Sequence, residues 1–225
     1  MTRPSVISID GPGAVGKTTV GRLLAERLGY LFIDTGAMYR ALTLLAMEQE
    51  LNWDDERALI RLAKQVKIGI KSKEGAPGGQ QAVVVDGQDV TEDIRHPDVE
   101  KWVSLVAKIE EVRETLVLQQ RGMAQEGEVV MVGRDIGTVV LPDADLKFYL
   151  IASAEERARR RHRELMDQGY REDYKAILKD LKRRDKIDSE RAVAPLRPAE
   201  DARIVNTEGL TSEEVVDFLY RMIEG

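Results

Sequence analysis

Cysteine is missing from all 225 residues, which excludes disulfides and any cysteine-ligated zinc and fits a reducing compartment. Histidine is almost as scarce. His96 and His162 stand far apart with no ligand partner nearby in sequence, so both read as surface or core residues rather than metal ligands. There is no excess of positive charge: 34 Lys and Arg against 40 Asp and Glu leave −6. That balance disfavours a sequence-independent nucleic-acid binder, although local basic clusters remain open. No apolar run is long enough to span a bilayer, and the first residues lack a basic-then-apolar signal pattern. A cytoplasmic protein with no membrane partner is expected. The length suffices for one core with an inserted subdomain.

What is present is a phosphate cradle. In SVISIDGPGAVGKTT, Ser5 to Thr19, an apolar strand breaks into a glycine-rich turn and then a helix. Gly11, Gly16, Lys17 and Thr18 fit GxxxxGK[ST], a pattern in which backbone N–H groups surround phosphates, the lysine reaches the β/γ-phosphates and the hydroxyl meets Mg²⁺. Glycine lets the backbone approach an anion closely, and the following helix offers its N-terminal dipole and free N–H groups. Gly11, Pro12, Gly13, Ala14, Val15, Gly16, Lys17, Thr18 and Thr19 are therefore the candidate phosphate-binding loop, with Thr18 as the metal contact.

The rest of the chain alternates strand and helix. Apolar segments at Tyr30–Ile33, Val129–Val132, Leu146–Ile151 and Arg203–Val205 join Val6–Ile9 to predict five parallel strands with helices on both sides, an α/β fold whose crevice lies beyond the strands' carboxyl ends. Asp34, Thr35 and Gly36 follow the second strand and read as a ligand loop, with a helix from Ala37 to about Gln49. Asp54 or Asp55 caps another. Lys67–Asp93 changes character, with alternating Ile68 and Ile70, a break containing Gly75, Pro77, Gly78 and Gly79, then Val83–Val85 and Asp86-Gly87. That is the punctuation of an inserted antiparallel unit, with a mobile tip expected over Lys71–Gln80. Helices are predicted from Pro97, from about Glu110 to Gln125, from Ala154, capped by Ser153, to about Gln168 and from Glu172 to about Lys186. Ile187–Pro198 reads as an ordered loop, and Ser212 begins the closing helix.

A phosphate loop alone does not separate switch, motor and kinase. No NKxD element is present and nothing resembling DxxG follows the third strand, which lowers the guanine-nucleotide switch reading. Arginine is abundant instead: Arg157, Arg159, Arg160, Arg161 and Arg163 crowd one helix, and Arg183, Arg184 and Arg191 flank the later loop. Glu155 with Arg159 and Glu156 with Arg160 are spaced as i,i+4 surface pairs. Arg157, Arg160, Arg161 and Glu164 share one side. When the acceptor is itself a phosphate, the nucleophile is already an anion, and the obstacle is the approach of two charged groups. Arginines and Mg²⁺ screen that repulsion.

Four motifs in order carry a resemblance. GPGAVGKTT at 11–19, DTGAMYR at 34–40, VGRDIGTVV at 132–140 and RDKIDSERAVAPL at 184–196 resemble those of bacterial cytidylate kinases, which phosphorylate CMP and dCMP with ATP. The likeness covers essentially the whole chain, including the inserted hairpin. It implies a P-loop kinase fold with a core at 1–66 and 126–225, a nucleoside-monophosphate-binding insert at about 67–125 and an arginine-rich lid at about 155–172.

The resemblance also implies roles. Thr35 would stand near the cytosine and Tyr39 would shape its pocket. Arg40, Arg134 and Arg191 would bind the acceptor phosphate. Ser104 and Arg113 would lie beside the base, and Asp135 would accept from its exocyclic amino group. Arg184 and Asp188 would contact the pentose hydroxyls, and Arg157 and Arg161 would close as lid residues over the transferring phosphoryl group with Lys17. A carboxylate facing an N–H₂ group separates cytosine from uracil, which offers a carbonyl there. ATP and Mg²⁺ are the implied donor and metal, CMP and dCMP the small-molecule partners, with no nucleic acid, and a monomer is expected. A kinase for UMP or AMP and a non-kinase P-loop ATPase remain the alternatives. One departure stands out: where relatives have small residues, this loop has Val15.

Overall fold

The middle strand of the main sheet is β1, Val6–Asp10, in which Ile7 and Ile9 are fully buried along with Ser8. A strand buried on both faces belongs at the centre of a parallel sheet. In the computed structural model, which describes residues 3–72 and 81–224, β1 is flanked by β6, Val129–Gly133, and β7, Leu146–Ile151. The edges are β2, Leu31–Asp34, beside β6, and β8, Arg203–Asn206, beside β7. All pairings are parallel, in the order β2-β6-β1-β7-β8, so the five expected strands are present. In the registers Asp10↔Gly133 and Asp34↔Val132, three strand ends reach one edge of the sheet, which is where the crevice of such folds lies.

One face of the sheet packs on α1, Lys17–Leu28, and α8, Ser212–Glu224, through Val20, Leu24, Phe148, Val215 and Leu219. A second core gathers α2, Thr35–Glu48, and α3, Glu56–Gln65, with α4, Pro97–Val106, and α5, Glu110–Met123. The expected antiparallel unit joins this core through Ile68, Val83 and Val85. It comprises β3, Ile68–Ser72, β4, Gln81–Val85, and β5, Gln88–Asp89, with Asp86 and Gly87 both at positive φ in the β4–β5 turn. The break at residues 73–80 lies outside the described residues. A smaller cluster of Ala158, Leu165, Ile177 and Leu181 joins α6, Ala154–Asp167, to α7, Tyr174–Glu190.

Helix ends follow the local chemistry. Asp55, Ser153 and Asp173 accept from the N–H groups of Ala58, Glu156 and Ala176. Thr211 and Glu214 exchange reciprocal bonds in a capping box at the start of α8. Two boundaries differ from expectation. The second helix begins at Thr35, directly after the strand, so Thr35 and Gly36 are its first turn rather than a loop. And α7 runs to Glu190, four residues beyond the expected end at Lys186, because Ile177, Leu181, Arg184 and Asp188 form a buried stripe at helical spacing and the prolines act only on residues just before them. Among the described residues, no helix is long and apolar enough to cross a membrane.

Candidate active site

The turn after β1 is shaped by its backbone. Gly11 has φ 148, and a Cβ there would lie 2.4 Å from the Leu150 carbonyl oxygen. Gly16, with φ 102, caps α1 without any side-chain bond to the helix N–H groups. Cations grip the loop's carbonyls: from α6, Arg157 Nη1 donates to Gly13 O at 3.1 Å and Arg160 Nη1 to Val15 O at 3.2 Å, and the loop's own Lys17 Nζ donates to Pro12 O at 2.7 Å. In a trans peptide the N–H points away from its C=O, so the arginine grip turns the amides of Ala14 and Gly16 the other way. Val15 is 1% exposed and packs with the core cluster of Ile9, Val20 and Leu150. Its bulk packs into the core beneath the loop, although Val15 also contributes to the cleft lining.

Lys17 is partly buried on the floor of a cleft of about 1050 Å³. Burial, and next the Arg134 charge, lower its ammonium to about 7. Thr18 Oγ1 donates to Asp34 Oδ2 at 3.1 Å, and Arg40 Nη2 donates to the same oxygen at 3.0 Å. The cleft continues past Arg160 to Thr207, Leu210, Thr211 and Ser212.

Across the cleft the wall consists of paired charges. Arg113 and Asp135 form a buried ion pair, with Arg113 Nη1 also donating to Ala107 O at 3.1 Å. Arg191 Nη2 lies 3.6 Å from the other Asp135 oxygen, and its Nε donates to Ala194 O at 2.6 Å. Arg134 pairs with Asp188 on α7. Buried Tyr39 lies 5.5 Å under the Arg113 guanidinium, and burial pushes its phenol up to about 12. Thr35 Oγ1 donates to Val132 O at 3.0 Å, and Ser104 is buried on α4. Arg184 Nη1 donates to Glu100 Oε2 at 2.9 Å.

The loop bearing Arg134 and Asp135 is fixed from beneath. Buried Asp10, at the end of β1, accepts from the N–H groups of Ile136 and Gly137, both at 2.8 Å. Those residues open a short π-helical turn, Ile136–Val140. Burial raises the Asp10 carboxyl to about 7 even though both amides favour its charged form. Backbone amides tied to a strand end give Arg134 and Asp135 a rigid mount.

The loop that follows β1 thus faces charge-paired walls across one cleft. Residues 7–225 match the family model described as cytidylate kinase. The chain belongs to the cytidylate kinase family. Among curated relatives, the cytidylate kinase of Desulforamulus reducens is 52% identical over 224 residues, covering 100% of this chain and 99% of that one. The cytidylate kinase of a Geobacillus species is 53% identical over 217 residues, covering 96% and 95%. A crystal structure of an uncharacterized protein from Eubacterium ventriosum superposes with a TM-score of 0.50 at 14% identity, covering 99% of each chain, a likeness of fold alone.

The structure gathers most residues expected from the family motifs onto one cleft. Lys17, Thr18, Thr35, Tyr39, Arg40, Ser104, Arg113, Arg134, Asp135, Arg161, Arg184, Asp188 and Arg191 all line it. Arg157 does not. Its Nη1 and Nη2 bond both oxygens of Asp185, at 3.2 and 2.6 Å, and the side chain is 5% exposed. Arg160, also on the inward side of α6, lines the cleft instead. The expected Glu155–Arg159 surface pair is replaced: Glu155 pairs with Lys182, while Arg159 and Arg160 both approach Glu156. Sequence reasoning passed over Asp10, placed Asp34 in a ligand loop without giving it a role, and passed over Glu100. For the first two the signal was available, since each is a carboxylate ending an apolar strand at the crevice edge. Glu100 gave none.

Proposed function

We propose that the cleft is a two-nucleotide site in which the γ-phosphoryl group of ATP passes in line to the phosphate of CMP or dCMP, yielding CDP or dCDP. The observation that carries this reading is the buried Arg113–Asp135 pair, which lines the same cleft as the phosphate loop. A carboxylate so placed accepts from the cytosine amino group and meets a repelling carbonyl on uracil.

In this reading the loop amides and Lys17 hold the donor phosphates. Arg40, Arg134 and Arg191 hold the acceptor phosphate, and Arg160 and Arg161 approach from α6. Each acceptor arginine already has a carboxylate neighbour, Asp34, Asp188 and Asp135 respectively, which keeps the array placed before substrate arrives. Arg184 and Asp188 face the pentose. No general base is required, because the attacking phosphate oxygen is already anionic. Thr18 and Asp34, two hard oxygen donors in contact, suit Mg²⁺ held jointly with substrate phosphates, where it would neutralise charge on the donor. Arg157 acts through the loop it grips. The net charge of −6 and the inward pairing of these arginines support a small-molecule partner over nucleic acid.

A coupled ATP assay across CMP, dCMP, UMP, AMP and GMP tests the reading. Conversion of CMP and dCMP far ahead of the others is expected. Fast turnover of UMP or AMP with none of CMP would overturn it.

A further inference from the structure

Glu100 has no part in the roles assigned above, yet it lines the cleft, one turn before Ser104 on α4. Its Oε2 accepts from Arg184 Nη1 at 2.9 Å and lies 3.4 Å from Arg161 Nη2. One carboxylate oxygen therefore joins α4 to both α6 and α7. Although burial works against its charge, Arg184, Arg161 and Arg40 hold the Glu100 carboxyl down at about 2. The arrangement is tightest at Arg184, whose side chain is 7% exposed and whose Nε is buried with no partner. A guanidinium on a long, rotatable stem keeps one orientation only when something fixes an edge of its fork. Here Glu100 fixes it, while Asp188, one turn further along α7, is fixed by Arg134.

We propose that Glu100 is a positioning residue for pentose recognition, which holds Arg184 in the orientation that reads the ribose hydroxyls and so sets the preference between CMP and dCMP. The inference rests on the pentose-facing role given to Arg184 and Asp188 above. Its chemistry is specific to the sugar. CMP and dCMP share base, phosphate and 3′-hydroxyl, so loosening Arg184 costs the 2′-hydroxyl contact to CMP alone, whereas general damage to the cleft affects both. Hydrogen bonds weaken steeply with misalignment, so a small reorientation is enough.

The test is Glu100→Gln, which keeps size and an acceptor but removes the charge, with kcat/KM measured for CMP and dCMP on the same preparation. The ratio of the two is independent of the fraction of active enzyme, so partial unfolding does not distort it. The CMP:dCMP ratio is expected to fall by about threefold to tenfold, through KM for CMP more than through kcat. Glu100→Asp, which keeps the charge but withdraws it, is expected to fall between wild type and Gln, and supplies the ratio if the Gln variant does not fold. An unchanged ratio, or equal losses on both substrates, overturns the role of Glu100 while leaving the kinase reading intact. A wild-type enzyme that phosphorylates neither nucleotide overturns the kinase reading itself, and this inference with it.

Discussion

The two sides of the cleft are built on different principles. The side proposed to hold the donor is backbone: a turn of twisted peptides with carbonyls gripped by Arg157, Arg160 and Lys17, which leaves its amides open to phosphate. The side proposed to hold the acceptor is side chains, with Arg113 and Arg191 on Asp135, Arg134 on Asp188 and Arg184 on Glu100, drawn from α4, α5, α7 and its C-terminal end, and the turn after β6. A contiguous backbone cradle suits the phosphate chain, which offers the same charged oxygens in every nucleotide. Distinguishing one base and one sugar from another takes donors and acceptors at fixed points, and distant segments must supply them.

That contrast predicts separable lesions. Lys17→Ala should lower kcat/KM for ATP by about 10³-fold while CMP binding, followed by calorimetry, stays within about twofold of wild type. Comparable loss on both sides would mean that the halves are not independent. Arg157→Met should release the Gly13 carbonyl and strand Asp185, raising KM for ATP about tenfold and lowering stability by about 2 kcal/mol in urea unfolding. If kcat alone fell, with KM and stability unchanged, Arg157 would instead reach the transferring phosphoryl group as the family motifs suggest.

The same contrast explains what could be read from the sequence. Gly11, Gly16, Lys17 and Thr18 announce the donor loop because a backbone cradle is necessarily contiguous. The sheet was legible for a related reason: its strands read as short apolar runs, and all five appear where those runs occur, even edge strand β8, in which only Val205 is buried. The acceptor wall was reached only through resemblance to known motifs. Nothing local marks Arg113 on α5 as the partner of Asp135, since their pairing depends on how α5 packs against the turn after β6. Glu100 lay beyond even that, a single charge on an amphipathic helix whose meaning comes from α6 and α7. The end of α7 was misplaced because two prolines suggested a loop, whereas the burial of Arg184 and Asp188 with Ile177 and Leu181 sustains the helix. Val15, out of pattern in the motif, proved to belong to the core below it.

The most direct test of a specificity wall made of side chains is Asp135→Asn, measured as the ratio of kcat/KM for CMP to that for UMP alongside KM for ATP. The ratio is expected to fall by at least about tenfold with KM for ATP unchanged, because an amide can both donate and accept where the carboxylate only accepts. An unchanged CMP:UMP ratio would contradict the account and remove Asp135 from base recognition.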